Sequence, residues 1–327
     1  METWLPYFFV GVIGLALLLY VILDGYDLGV GLLLPFAPAA EQDRMVASIG
    51  PFWDANETWL VLGVGILLVV FPQAHGIILT SLYLPATLML IALVLRGIAF
   101  DFRIKAGEKH KRTWNALFSL GSLVAALCQG WMLGAYITGL DDSPLSLSFA
   151  LLIALSLPAL YVLLGALWLM GKTRGELPAK ALTWARVAWL PMGFALLLIS
   201  VATPLVSDTI ARAWFTFPRA LVLLPIPLLT LYCYGWIGAA LHGRVQAKPQ
   251  RIFFMVAAIC LLAALGLAYS IWPDIIIGRM RILEAVAAPK SLMFTFVGVV
   301  LTLPMILGYT VFIYRIFRGV EVKQAYE

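Results

Sequence analysis

Apolar residues along this chain fall into blocks of about 20 separated by short polar stretches, without the two-residue alternation of a half-buried strand. Nine blocks can be drawn, approximately 7–34, 52–71, 77–100, 114–138, 147–170, 185–206, 218–241, 252–272 and 292–316. Each is long enough to cross a hydrocarbon core of about 30 Å as a helix, whereas a membrane barrel needs short alternating strands. The pattern predicts an all-α polytopic membrane protein, and nine spans admit two four-helix bundles plus a peripheral helix. No connection is long enough for an extramembrane domain. The whole of 1–327 therefore reads as a single transmembrane domain, and its longest connection, 273–291, reads as a loop. Pro85, Pro158, Pro225, Pro227 and Pro304 fall inside blocks and read as kinks that neighbouring helices absorb.

Composition agrees with the pattern: 63% of the residues are hydrophobic, 12% are charged, and the mean hydropathy is +0.98. A soluble domain carries roughly a quarter charged residues, so an ordinary soluble enzyme is excluded. The formal charge of +5 does not point to nucleic acid, because the basic residues sit in short connections where topology explains them. One set of connections holds Arg44, Arg103, Lys105, Lys109, Lys111, Arg112, Lys172, Arg174, Lys180, Arg186, Arg244, Lys248, Arg251, Arg315, Arg318 and Lys323. The other holds Arg212, Arg219, Arg279, Arg281 and Lys290. An asymmetry of 16 to 5 predicts a periplasmic N-terminus and a cytoplasmic C-terminus. The first residues, Met-Glu-Thr-Trp-Leu-Pro, lack the basic segment of a cleavable signal, so the first block is expected to stay as a span. Cys128, Cys233 and Cys260 lie in apolar blocks without CxxC spacing and read as core residues.

An ionisable side chain inside a bilayer costs roughly 2.5 to 3.5 kcal/mol on insertion scales, so its placement needs a reason. Asp24 and Asp27 lie in the first block, in the run Leu23-Asp24-Gly25-Tyr26-Asp27-Leu28-Gly29-Val30-Gly31. Their spacing puts them on one helical face, and the Gly25/Gly29 step lets another helix approach beside them. The second block opens Gly50-Pro51-Phe52-Trp53-Asp54-Ala55-Asn56-Glu57-Thr58-Trp59-Leu60, and the third ends with Arg96, Asp101 and Arg103. Spans 1 to 3 thus carry five acids and two arginines to one membrane side, and nothing comparable follows. Each group also has a plain reading. Asp54, Glu57, Trp53 and Trp59 fit a helix cap with an aromatic belt, and Asp101 and Arg103 fit a solvated loop. Arg96 fits either a snorkelling anchor or a buried partner of Asp24 or Asp27. The two aspartates have no long stem with which to reach water, and a carboxylate cluster of this kind suits proton or cation uptake.

Haem and copper sites need His, Met or Cys ligands placed within spans. His110 and His242 fall in connections and His75 at the turn between spans 2 and 3, while Met89, Met132, Met170 and Met192 are scattered and read as packing. The chain is expected to bind no redox metal. No phosphate loop, nucleophile elbow or zinc motif stands out.

The three runs at 23–31, 50–60 and Leu95-Arg96 with Phe100-Asp101-Phe102-Arg103, together with Gly121-Ser122, resemble the signature segments of subunit II of cytochrome bd-type quinol oxidases. The likeness covers residues 1–140, the motif-bearing helices 1 to 4; 141–327 agrees in span number and length and reads as structural helices 5 to 9. The short chain and loops are similar to the cyanide-insensitive subgroup.

The resemblance implies a heme-free, non-catalytic subunit of a quinol:dioxygen oxidoreductase in the bacterial cytoplasmic (inner) membrane. A partner subunit I would carry hemes b and d and oxidise quinol, with dioxygen as the other substrate. It also implies that Asp24, Asp27, Asp54 and Asp101 line a cytoplasmic proton route, with Asp54 on the uptake side. Arg96 would lie near the subunit interface and Trp59 near a dioxygen access point, with Trp53 beside it. Glu57 stands where some members have an amide, and is grouped with Arg96 and Arg103 as a charge partner. A structural quinone or lipid and a small single-span accessory subunit are compatible with the family. The residues alone leave two other readings open, a stand-alone proton- or cation-coupled transporter and a purely structural scaffold.

Overall fold

In the computed structural model, residues 4–105 and 107–319 are described, and among them nine helices are long and apolar enough to cross a membrane. Lys323 and the Lys109 side chain, both counted above for orientation, lie outside the described residues. The first span is α1 (Leu5–Leu33), which runs on through a 3-10 turn at Leu34–Phe36. A short amphipathic helix, α2 (Ala39–Ile49), leads to α3 (Trp53–Val70) and α4 (Pro72–Ser81). Then come α5 (Tyr83–Lys105), α6 (Glu108–Ile137), α7 (Pro144–Lys172) and α8 (Leu177–Val206). The chain continues with α9 (Asp208–Phe215), α10 (Arg219–Leu223), α11 (Pro225–Leu241), α12 (Pro249–Ile271) and α13 (Pro289–Ile316).

Proline marks several starts: Pro72, Pro144, Pro225, Pro249 and Pro289 each open a helix, where the missing N–H has no partner to lose. The proline reading needs correction at Pro85, which sits in the first turn of α5; Pro225 and Pro227 interrupt span 7 at Leu224, between α10 and α11, where the backbone stays helical. Pro158 and Pro304 do lie inside α7 and α13. The 273–291 connection is not featureless, since Asp274–Ile276 pairs antiparallel with Met280–Arg281. His75 lies in α4, not at a turn, and Asp101 and Arg103 belong to α5, not to a loop.

The packing centres on α1, which lies against α3, α6 and α7. Its stretch from Asp24 to Gly31 is buried on every side. Glycine makes this approach possible. A Cβ on Gly29 would lie 1.8 Å from the Tyr161 carbonyl oxygen of α7, and one on Gly165 would lie 2.5 Å from the Gly29 carbonyl carbon. The small-residue step seen in the sequence is therefore a helix crossing with backbone against backbone. The outer surface stays apolar, as lipid requires: Phe194, Leu205, Phe294 and Met305 are all exposed. Helix α2 packs against α1 and α7, burying Met45, Val46 and Ile49 and accepting from the Trp168 indole at the Ser48 carbonyl.

Candidate functional site

Three helices build the site. Asp24 and Asp27 come from the last turns of α1, Asn56 and Glu57 from the first turn and a half of α3, and Arg96 from the middle of α5. Asp24, Asp27 and Asn56 are fully buried and Arg96 is 1% exposed. Arg96 is therefore no snorkelling anchor. Its Nη2 donates to Asp24 Oδ1 at 2.6 Å and lies 2.8 Å from Glu57 Oε1. Helix α5 can bring it there because α6 has no side chain at Gly121, where a Cβ would meet the Ala92 carbonyl oxygen at 2.7 Å. Glu57, to which the resemblance lent least support, is a direct partner of the buried arginine.

Asp27 is served by an amide instead of a cation: Asn56 Nδ2 donates to its Oδ2 at 2.8 Å and to Tyr26 Oη at 2.9 Å, with the Leu23 carbonyl also within reach at 3.2 Å. Tyr314 of α13 completes the group, with its hydroxyl 2.7 Å from Tyr26 Oη and donating to Asn56 Oδ1 at 3.2 Å. One turn before Asp24 in α1, Tyr20 accepts from Gln129 Nε2 at 2.8 Å, and Gln129 Oε1 accepts from Tyr161 at 2.5 Å. Asp24 Oδ2, Asp27 Oδ1, Arg96 Nε and Arg96 Nη1 are buried and have no hydrogen-bond partner among the described residues.

A second polar group lies under α2. Arg103, 5% exposed, donates to Asn115 and to Asp43, which also takes Lys111 at 2.9 Å. Asn115 donates to Gln42 at 2.6 Å, and Gln42 donates to the Leu34 and Ala37 carbonyls, both at 3.0 Å. Lys180 donates to Glu41 at 2.7 Å. Partial burial pushes the Asp43 carboxyl up, but the Lys111 hydrogen bond and the Arg103 guanidinium outweigh it and hold the group below the usual carboxylate range. These contacts strap α2 to α5, α6 and α8.

Of the residues singled out from the sequence, Asp24, Asp27, Glu57 and Arg96 come together. Arg103 is buried and paired in the neighbouring group, which corrects the solvated-loop reading for it. Asp54 and Asp101 are exposed and stand outside both groups. Trp53 is half-buried with its ring 5.1 Å from that of Phe100, whereas Trp59 is fully buried against Tyr20 and Ala16 and is no interfacial belt residue. Neither Asp54 nor Glu57 caps α3, whose N-cap is Phe52 without a side-chain bond. Asn56, Tyr20, Tyr26, Gln129, Tyr161, Tyr314 and Asp43 were not singled out. Most are neutral, so a search for charge inside spans passes over them.

Among the described residues, no group of three or more His, Cys, Asp and Glu side chains is arranged to hold a metal ion. His75 lies between spans 2 and 3, His110 at the start of span 4 and His242 just past α11.

These features define a multi-pass helical membrane protein whose ionisable groups are gathered at one end of spans 1 to 3. The chain belongs to the cytochrome bd terminal oxidase subunit II family, whose model matches residues 5–317. It is 25% identical over 318 residues to cytochrome bd ubiquinol oxidase subunit 2 of Bacillus subtilis (strain 168), covering 91% of each chain. It is 30% identical over 195 residues to cytochrome bd-I ubiquinol oxidase subunit 2 of Escherichia coli (strain K12), covering 54% of this chain and 52% of that one. The solved structure of bd oxidase from Geobacillus thermodenitrificans shares the fold, with a TM-score of 0.75 and 19% identity over 96% of this chain and 98% of that chain. Its relatives are subunits of a quinol oxidase complex, and membership as subunit II implies a companion subunit I.

Proposed function

We propose that this chain is the heme-free subunit of a bd-type quinol oxidase, and that it stabilises a heme-bearing subunit I and conducts cytoplasmic protons toward the site of dioxygen reduction. The observation that carries the reading is the buried Asp24–Arg96–Glu57 and Asp27–Asn56 cluster, which gathers three carboxyl groups around one cation toward one end of an apolar bundle. With the N-terminus periplasmic, this end of α1, α3 and α5 faces the cytoplasm, where reduction of dioxygen to water must draw its protons. Asp54 and Asp101, exposed on α3 and α5, are then the uptake-side acids, and Asp24 and Asp27 the interior carriers. Carboxyl groups suit the task because they change protonation state near their neighbours' charges, and Arg96 limits the cost of holding them charged. Hemes b and d belong to subunit I on this reading.

The test is Asp54→Asn in the intact complex, which keeps the size of the side chain and removes its titration. Quinol oxidase turnover is expected to fall by about tenfold or more, the order of a lost proton-transfer group, with heme content unchanged. Full turnover with full heme content would overturn the role given to Asp54. Separately, the purified chain alone is expected to show no heme absorption, and a stoichiometric heme spectrum would overturn the subunit assignment.

A further inference from the structure

Span 9 lies at the edge of the bundle, and α13 buries only Leu292, Val299 and Ile313 among its described residues. One of its side chains still reaches the acidic cluster. The Tyr314 ring packs 4.7 Å from that of Phe52 and 6.0 Å from that of Trp168, and Tyr26 stacks on Trp168 at 4.1 Å. Lys172 holds the end of the helix in place, donating to the Phe317 carbonyl at 2.5 Å while its ammonium sits 5.0 Å over both the Phe52 and Trp168 rings.

The hydrogen bonds around Asn56 have one consistent direction. Its Nδ2 is faced by three acceptors: Asp27 Oδ2, Tyr26 Oη and the Leu23 carbonyl. Tyr26 accepts from that amide, so its own hydrogen is available to Tyr314, and Tyr314 gives its hydrogen to Asn56 Oδ1. Asn56, Tyr26 and Tyr314 form a closed ring: the Asp27 carboxylate and the Leu23 carbonyl, which can only accept, face the amide nitrogen, and the Tyr314 hydroxyl from span 9 holds the amide oxygen on the other side. With the amide turned over, Oδ1 would face the Asp27 carboxyl, which is tolerable only when that carboxyl carries a proton.

We propose that Tyr314 is a positioning residue for Asp27, fixing the Asn56 amide so that proton release at Asp27 depends on the seating of span 9. This rests on the relay role proposed for Asp27. It gives the last span a part in the chemistry of the first, in a region that reads from sequence as structural.

The experiment compares Tyr314→Phe, Asp27→Asn and Tyr309→Phe in the intact complex, by dioxygen consumption with a short-chain quinol across pH and by heme content. Tyr309 is an exposed tyrosine on the same helix and serves as the control. Tyr314→Phe keeps the ring packing and is expected to keep heme content and KM for quinol. The acidic limb of its turnover profile moves to higher pH by about one unit, a tenfold change, the order of one hydrogen bond to a charged group. Tyr309→Phe is expected to overlay the parent profile. If Asp27→Asn is impaired and Tyr314→Phe leaves the profile in place, the inference about Tyr314 is wrong. If Asp27→Asn keeps full turnover with full heme at every pH, the relay role itself is wrong. Should Tyr314→Phe not assemble, Tyr26→Phe breaks the same ring from span 1 and is read by the same criteria.

Discussion

Replacing Arg96 by Met keeps a long apolar stem and removes the one cation of the cluster. Arg96 and Asp24 are 2.6 Å apart and essentially fully buried, so the variant strands a carboxylate in apolar surroundings. Breaking a buried pair in this way costs about 3–5 kcal/mol. The upper half of that range is expected, because Arg96 also faces Glu57 at 2.8 Å and so serves two acids at once. At about 1.4 kcal/mol per factor of ten, a cost of about 4 kcal/mol is close to three orders of magnitude in the folding equilibrium. Adding Asp24→Asn to Arg96→Met removes the stranded charge and should restore about 2 kcal/mol or more. Glu57 limits the remaining loss, because its side chain is 25% exposed and can turn toward water. The assay is a mixed-micelle unfolding titration of parent, single and double variants, followed by tryptophan fluorescence. A cost below about 1 kcal/mol for Arg96→Met, or a double variant whose loss equals the sum of the singles, would refute the pairing as the basis of the cluster.

Two further outcomes follow from the same geometry. The Asp43 carboxyl is held below its ordinary range, so its contribution to strapping α2 is present above the unfolded value of about 3.9 and is lost as pH falls through the lower folded value. Hydrogen-exchange protection of α2 should therefore be flat from neutral pH to about 5 and decline below about 4, and Asp43→Asn should abolish that decline. Gly29→Val would push a side chain into the Tyr161 backbone, where a Cβ already comes to 1.8 Å. It should cost at least the 1–3 kcal/mol typical of overpacking, or prevent assembly, while Gly11→Ala, with nothing within 4 Å, leaves thermal stability in place.

The spans and the acids were legible because hydrophobic blocks and charges inside them are strong signals in a membrane chain. The buried Asp24 and Asp27, the approach at Gly25 and Gly29, and one of the two readings of Arg96 all appear in the structure as the residues implied. The partners that finish the site were not legible. Asn56 and Gln129 carry no charge, and Tyr26, Tyr161 and Tyr314 look like ordinary span aromatics until their hydroxyls are seen to point inward. Arg103 looked solvated because α5 outlasts its apolar block, and only the fold shows Asp43 of α2 returning to meet it. Tyr314 lies 258 residues from Asn56, a separation over which no helical periodicity reports contact.

On the function proposed above, protons for dioxygen reduction pass through Asp24 and Asp27 from the membrane face that bears Arg103 and Lys111. The direct measurement is time-resolved proton uptake by the complete oxidase in vesicles, with a pH indicator on one face at a time, during a single turnover started by dioxygen. Uptake is predicted from that face only, with Asp27→Asn slowing it by about tenfold or more while the first electron-transfer step keeps its rate. Uptake from the opposite face, or an unchanged rate in Asp27→Asn complexes with full heme content, would contradict the account.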